Sequence, residues 1–396
     1  MTAPALDVLR ALHAYTRAAG MPPPAALIGD WWDADAVIAP SIRLRPGFPP
    51  PDDPDRFWFG YLGFPVRATE SALPTAVGGL TGEVLVLRDG RWHHQSVDDT
   101  PCAPWIADAI ATTTRAENAW SATWVAPERQ PHLAAIEECL EAIRAGEVYQ
   151  ACVCTRFTGE ITGDPAEFFS SVTSATRPAK AAYLHGDWGT VASFSPESFL
   201  RRTGNLVSSS PIKGTVGADA EPESLSASTK DIAENVMIVD LVRNDLGRIA
   251  VTGTVRVADL LSVVPAPGVW HLVSRVEAIV DPAVGTNELL RATFPPASVT
   301  GTPKQRAAEL LAEWEEHPRG VYCGAVGVAG PGRGLDLNVA IRTVALTPDG
   351  RASLGVGGGI TIDSDPLREW QECLDKAASI VGMSSGESSS QIRLSW

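Results

Sequence analysis

Residues 229–247 read TKDIAENVMIVDLVRNDLG, and the class of fold follows from how this stretch sits among its neighbours. It predicts a helix over 231–246 that stacks two carboxylates, Asp231 and Glu234, on one face at i, i+3 spacing. Working outward, further helix signals come at wide intervals, over 1–15, 132–145, 165–176, 287–293, 303–315 and 366–381. Between them lie runs of strands. The predicted set is 57–64, 83–87, 91–95, 148–157, 181–184, 190–193, 199–202, 206–209, 255–261, 271–280, 321–328, 337–346 and 351–356. Helices interspersed among runs of strands, without regular β–α–β alternation, predict an α+β fold. The Pro-rich stretch 20–56 reads as loops around short strands, and 98–130 as loop and short helix. The Ser-rich segment 384–396 reads as a mobile tail.

The helix over 366–381 repeats the acidic pattern of the first. Asp363-Ser-Asp-Pro366 supplies an N-cap and an early proline. Glu369 and Glu372 then follow at i, i+3, with Lys376 one turn further on the same face. Facing each other, the two acidic pairs would make an all-oxygen site for a hard cation, best suited to magnesium. On spacing alone, two solvated acidic faces are the better fit, because nothing in the sequence brings the helices together. Just ahead, Gly355-Val-Gly-Gly-Gly359 reads as backbone that approaches an anion through positive φ and bare N–H groups, or as a tight strand exit. Arg342, inside the apolar run 337–346, needs a partner, either a ligand carboxylate or an internal Asp or Glu.

The 396 residues carry 47 acidic and 32 basic side chains, for a net charge of −15. That excess argues against nucleic acid or an anionic membrane as partner, because phosphates need a positive footprint. No apolar run reaches the length of a membrane span, and residues 1–15 form an amphipathic pattern without the features of a signal peptide. Six cysteines without a CxxC pair predict reduced thiols and a cytoplasmic protein. Only five of the basic residues are lysine: Lys180, Lys213, Lys230, Lys304 and Lys376. An amine that can lose its proton does what arginine cannot. Lys213 falls in Pro211-Ile-Lys-Gly-Thr215, read as a turn, and is either a solvated loop lysine or a nucleophile. Glu197, after Phe194-Ser-Pro, would donate a proton if burial raised its pKa. Lys180 reads as solvated. Lys230 and Lys304 stand at helix starts, where the dipole disfavours a cation, so each predicts a specific contact.

Taken in order, these segments resemble the chorismate-utilising enzymes, a family that includes anthranilate, aminodeoxychorismate, isochorismate and salicylate synthases. The resemblance runs over about 125–383. It rests on Val148-Tyr-Gln-Ala-Cys152, Thr155-Arg-Phe157, Phe194-Ser-Pro-Glu197, Pro211-Ile-Lys-Gly-Thr215 and the 230–247 helix. It continues through His271-Leu-Val-Ser274, Phe294-Pro295, Thr300-Gly-Thr-Pro-Lys304, Ile341-Arg-Thr343 and Gly357-Gly-Gly-Ile360 to Lys376. The resemblance implies two large, mainly antiparallel sheets packed face to face with helices outside. Residues 1–125 would form an N-terminal subdomain adding strands to the fold, and 126–383 the chorismate-binding catalytic domain. It further implies magnesium on Glu234 and Glu372, with Asp231 and Glu369 around it. Tyr322 and Arg342 would meet substrate carboxylates, with Lys376, Gly357, Gly358 and Gly359 closing the site and Ser298 and His271 beside the ring. Glu197 would be the general acid. Gln150 stands where the salicylate and isochorismate enzymes carry a water-activating lysine. Lys213 stands where the branch making 4-amino-4-deoxychorismate, the precursor of p-aminobenzoate, carries a nucleophile. Val216, Pro296-Ala297 and Thr302 depart from the usual residues at their positions. No Gly-x-Cys-x-Gly elbow occurs, so the resemblance implies ammonia supplied free or by a separate glutamine amidotransferase subunit.

Overall fold

Two antiparallel sheets, of eleven and ten strands, pack face to face. The computed structural model describes residues 3–52, 54–65, 71–111 and 119–383, so the expected mobile tail at 384–396 lies outside the described residues. The larger sheet runs Gly301–Thr302, Gln150–Gly163, Arg351–Ile360, Thr343–Leu346, Gly189–Ser195, Lys180–Gly186, Ala25–Trp31, Ala34–Ala39, Glu83–Arg88 and Arg91–Ser96. Trp120–Val125 adds beside Gln150–Gly163. The smaller runs Ile212–Gly217, Val269–Ile279, Leu206–Ser210, Ser198–Thr203, Gly334–Val339, Ala325–Gly330, Phe57–Leu62, Ala76–Thr81 and Arg45–Pro46. Arg256–Ala266 pairs with Val269–Ile279. Strands from before residue 126 therefore lie in both sheets.

Alternation along the strands explains the layering, since every second side chain faces the partner sheet. Leu27, Val37, Val86, Leu184 and Val191 of the larger sheet meet Phe59, Tyr61, Val326 and Val328 of the smaller in one core. Each large apolar side chain buried there contributes roughly 1.5–3 kcal/mol. The outer face of the larger sheet is covered by Ala5–Ala18, Pro104–Ala111, Pro165–Thr176 and Pro366–Val381. The helix Thr229–Gly247 packs its Ile238, Val239, Val242 and Leu246 against the smaller sheet.

Four expectations are corrected. The apolar run 337–346 is two strands in different sheets: Gly334–Val339 lies in the smaller and Thr343–Leu346 in the larger. The chain crosses between them at Arg342, whose φ of 50° breaks the extended backbone without glycine or proline to announce it. Lys213 lies on an edge strand, Ile212–Gly217, and not in a turn. Pro211 precedes the strand, where its missing N–H costs no ladder bond, and Gly214 (φ 83°) sits in a register shift between Ile212 and Thr215. The glycines 355–359 are strand, and none has positive φ. Their value is a missing side chain.

Lys180 is the clearest reversal. It is 3% exposed, with Nζ 2.8 Å from Asp336 Oδ1 and 4.2 Å from the centroid of the Trp31 ring. Asp336 is 0% exposed, so the pair ties the two sheets across their interface. The sequence around Lys180 carries no sign of this, because Asp336 is 156 residues away. Lys180→Ala leaves a buried carboxylate without its counter-ion and should cost about 3–5 kcal/mol in urea unfolding. A loss under 1 kcal/mol would contradict the assignment.

Candidate active site

The glycine strand Arg351–Ile360 pairs with Gln150–Gly163 so that Gly359 lies opposite Cys152 and Gly357 opposite Cys154. A Cβ at Gly359 would stand 2.5 Å from Gln150 Nε2 and 3.4 Å from Lys213 Nζ. Lys213 thus reaches from the smaller sheet to the glycine backbone of the larger. Its Nζ donates to the Ser298 carbonyl at 3.2 Å. Gln150 is 1% exposed, and neither its Nε2 nor its Oε1 has a hydrogen-bond partner. An amide left unmatched in this way is positioned to serve a ligand, because leaving it bare costs about 1–3 kcal/mol.

Glu197 closes the same cluster. It is 4% exposed, and burial pushes its carboxyl up to about 7 against the Ser298 hydroxyl, the Lys213 charge and the Ile212 backbone N–H. A carboxyl balanced there holds a proton it can give near neutrality. On the neighbouring strand, Thr215 lies opposite His271, and the Thr215 hydroxyl and His271 Nδ1 are 2.8 Å apart. Burial, reinforced by the nearby Arg342, drops the His271 pKa to about 4, so the ring is neutral. Burial also lowers the Arg342 pKa, and no carboxylate pairs with it among the described residues.

The two acidic helices do meet. Lys230 joins them: its Nζ lies 3.1 Å from Glu369 Oε1 and 3.8 Å from Glu234 Oε1. That is the specific contact expected of a lysine at a helix start. Glu369 is 3% exposed and also accepts the Ser364 hydroxyl at 2.7 Å. Burial raises the Glu234 pKa, opposed by Lys213 and Lys230. Asp231 packs its Cβ where a Cβ on Gly214 would stand 3.0 Å away. Glu372 and Lys376 pair at 2.7 Å; burial would raise the Glu372 pKa, but Lys376, Lys230 and Lys213 together keep the carboxyl below the ordinary range. Lys376 also donates to the Gly357 carbonyl at 2.8 Å, and a Cβ on Gly358 would sit 3.0 Å from Glu369 Oε2. Gly358 and Gly359 thus face the acidic helix and the lysine cluster respectively.

The donor set fits a hard divalent cation: carboxylates from two helices, and a buried Glu234 Oε1 that accepts no hydrogen bond. Among the described residues, no three such groups converge as a ready-made cage. The Lys230 ammonium is what bridges the carboxylates instead.

Tyr322 stands apart from the Lys213 cluster. Its ring packs where a Gly355 Cβ would fall 2.2 Å away, and it lines a cavity of about 470 Å³ whose walls include none of Lys213, Glu197, Glu234 or Arg342. Sequence reasoning missed the supports. Asn235 Nδ2 donates to the Leu272 carbonyl at 3.1 Å and its Oδ1 accepts Ser274 at 2.6 Å, fixing the first acidic helix to the His271 strand. Arg319, clamped by Glu315, donates to the Cys152 and Val299 carbonyls at 2.6 and 2.7 Å, holding the Ser298 turn to the larger sheet. The helix ends at Trp314 and Arg319 follows Pro318, so no helical periodicity in the sequence announces the Glu315–Arg319 pair.

The architecture and this cluster define a class. A family model described as chorismate binding enzyme matches residues 49–382, and the chain belongs to that family. Aminodeoxychorismate synthase component 1 from Salmonella typhimurium is 32% identical over 375 residues, covering 87% of this chain and 81% of its own length. The protein of that name from Klebsiella aerogenes is 38% identical over 279 residues, 69% of this chain; the chain spans 61% of that relative's length. The menaquinone-specific isochorismate synthase from Escherichia coli, 18% identical, superposes with a TM-score of 0.73 over 96% of this chain and 92% of its own, and so shares the fold.

Proposed function

We propose that the chain aminates chorismate at C4 with ammonia, giving 4-amino-4-deoxychorismate through a Lys213 adduct, for p-aminobenzoate synthesis. The observation that carries this is Lys213 Nζ reaching the glycine strand within a cluster that also holds Glu197 and Ser298. Glu234 and Glu372, with Asp231 and Glu369 around them, would hold magnesium. When bound, the ion neutralises the C1 carboxylate and draws electron density from the ring. The Lys213 amine, in its deprotonated form, adds at C2, both ring double bonds shift (C1=C2 to C1=C6 and C5=C6 to C4=C5), and the C4 hydroxyl leaves as water on taking the Glu197 proton. Ammonia then adds at C4, both double bonds return to C5=C6 and C1=C2, and the Lys213 amine departs. The Glu197 carboxylate takes back a proton from the new ammonium, so one ammonia enters and one water leaves.

Arg342, without a carboxylate of its own, suits a second substrate carboxylate. Neutral His271, Ser298, Gln150 and the backbone of Gly357, Gly358 and Gly359 suit the ring side, with Lys376 behind them. Tyr322 enters this assignment only from the far end of the glycine strand. Ammonia would come from a glutamine amidotransferase subunit, the role suggested by the words "component 1" in the relatives' names. Among the described residues no helix is long and apolar enough to cross a membrane, and the six cysteines are unpaired. The proposal places the reaction in the cytoplasm.

The test is to incubate the purified chain with chorismate, magnesium and ammonium at alkaline pH and separate the products. The expected product is 4-amino-4-deoxychorismate, abolished by EDTA and restored by magnesium. Anthranilate as the only amino product would overturn the assignment, and turnover undiminished by EDTA would remove the metal from it.

A further inference from the structure

We propose that Lys230 is a built-in cation that holds the acidic site together in the absence of metal and must be displaced for metal to enter. The inference rests on the magnesium site proposed above and adds a residue that competes for it. Lys230 occupies the second position of the helix Thr229–Gly247, where the exposed N–H groups make a positive charge unfavourable. Something must offset that cost. Its Nζ finds Glu369 Oε1 at 3.1 Å on the facing helix and Glu234 Oε1 at 3.8 Å one turn along its own. Those two carboxylates have side chains only 3% and 11% exposed, and without a cation between them they would repel at close range. The Lys230 side chain is 46% exposed, so the bridging charge has a way out toward solvent while the carboxylates stay in place.

Lys376 performs the same neutralisation on Glu372 but is anchored to the Gly357 carbonyl as well, which leaves Lys230 as the removable member of the pair. Metal entry is then an exchange of one ammonium for one divalent ion on Glu234. Part of the metal's binding free energy goes to breaking the lysine bridge. Lys230 acts through the carboxylates and touches no reacting atom, so it is a positioning residue.

Isothermal titration of magnesium into the full chain, without chorismate, separates this from a merely structural lysine. Lys230→Met is expected to bind magnesium about fivefold more tightly than the parent, which corresponds to about 1 kcal/mol, the upper end for a half-exposed competing charge. Lys230→Arg, which keeps the charge, should bind no more tightly than the parent. The metal-free Met variant should melt lower than the parent and gain more in melting temperature on adding magnesium. If the Met variant does not fold, Lys230→Gln is read by the same criteria. Equal or weaker magnesium binding in the uncharged variant would overturn the proposal. A parent chain that binds no magnesium at all would instead overturn the metal site itself.

Discussion

Lys213→Ala removes the amination reaction: the expected fall in kcat is about 10³-fold or more, the scale of losing a nucleophile. Chorismate should still bind, because the glycine backbone, Arg342 and the acidic helices are untouched; quenching of tryptophan fluorescence by chorismate would measure this. Lys213→Arg should be equally inactive. A guanidinium stays protonated, and its planar fork cannot take the place of a compact amine against Gly359. The local geometry makes the test sharp. Lys213 extends from a bulged edge strand and its Nζ bonds to a main-chain carbonyl, so truncation breaks no side-chain ion pair, although Glu197 and Glu234 lose a nearby positive charge. Activity retained within tenfold in the alanine variant would end the nucleophile assignment. Ammonia would then add without help from the chain, and Lys213 would be no more than a counter-charge for Glu197 and Glu234.

Glu197→Gln is the second large effect, with an expected loss of about 10²–10⁴-fold in kcat. The pH profile separates a proton donor from a structural carboxyl. Burial raises the Glu197 pKa to about 7, so the protonated, donating form is present below that value and is lost as pH rises through it. The parent's kcat/KM should therefore fall on the alkaline side with an apparent ionisation near 7, while the glutamine variant shows no such limb. A parent profile with no ionisation near neutrality would remove Glu197 from the role. The amide can still accept the Ile212 N–H and meet the Ser298 hydroxyl, so the fold is expected to survive the change.

The sequence made visible whatever was local. Carboxylates at i, i+3 marked one face of each acidic helix, and the strand runs marked most of the sheets. A lysine at a helix start forecast a partner for Lys230, found in Glu369. Lys304 found Asp245 in the same way. What the sequence concealed was long-range or carried by backbone. Lys180 looked solvated because its partners, Asp336 and the Trp31 ring, are far along the chain. The crossing at Arg342 was hidden inside a mostly apolar run with no glycine or proline, since a positive φ at one residue leaves no mark on the hydrophobic pattern. The early strands Ala25–Trp31 and Ala34–Ala39 were expected only as unlocated short strands among prolines, because their partners come from residues 83–88 and 180–186. Ring and carboxylate roles came from the ordered resemblance and not from spacing.

The chain's passage from one sheet to the other at Arg342 has a consequence for evolution and engineering. Lys213 and His271 ride on one sheet, Gln150 and Gly359 on the other, and Arg342 on the join. The thickness of the sandwich is therefore a catalytic dimension. A side chain such as Val191 or Val326, buried between the sheets and remote from any reactant, acts as a shim that sets how far the amine must stretch. Changes of a single methylene in that core can retune the reaction while leaving every reacting group in the sequence unaltered.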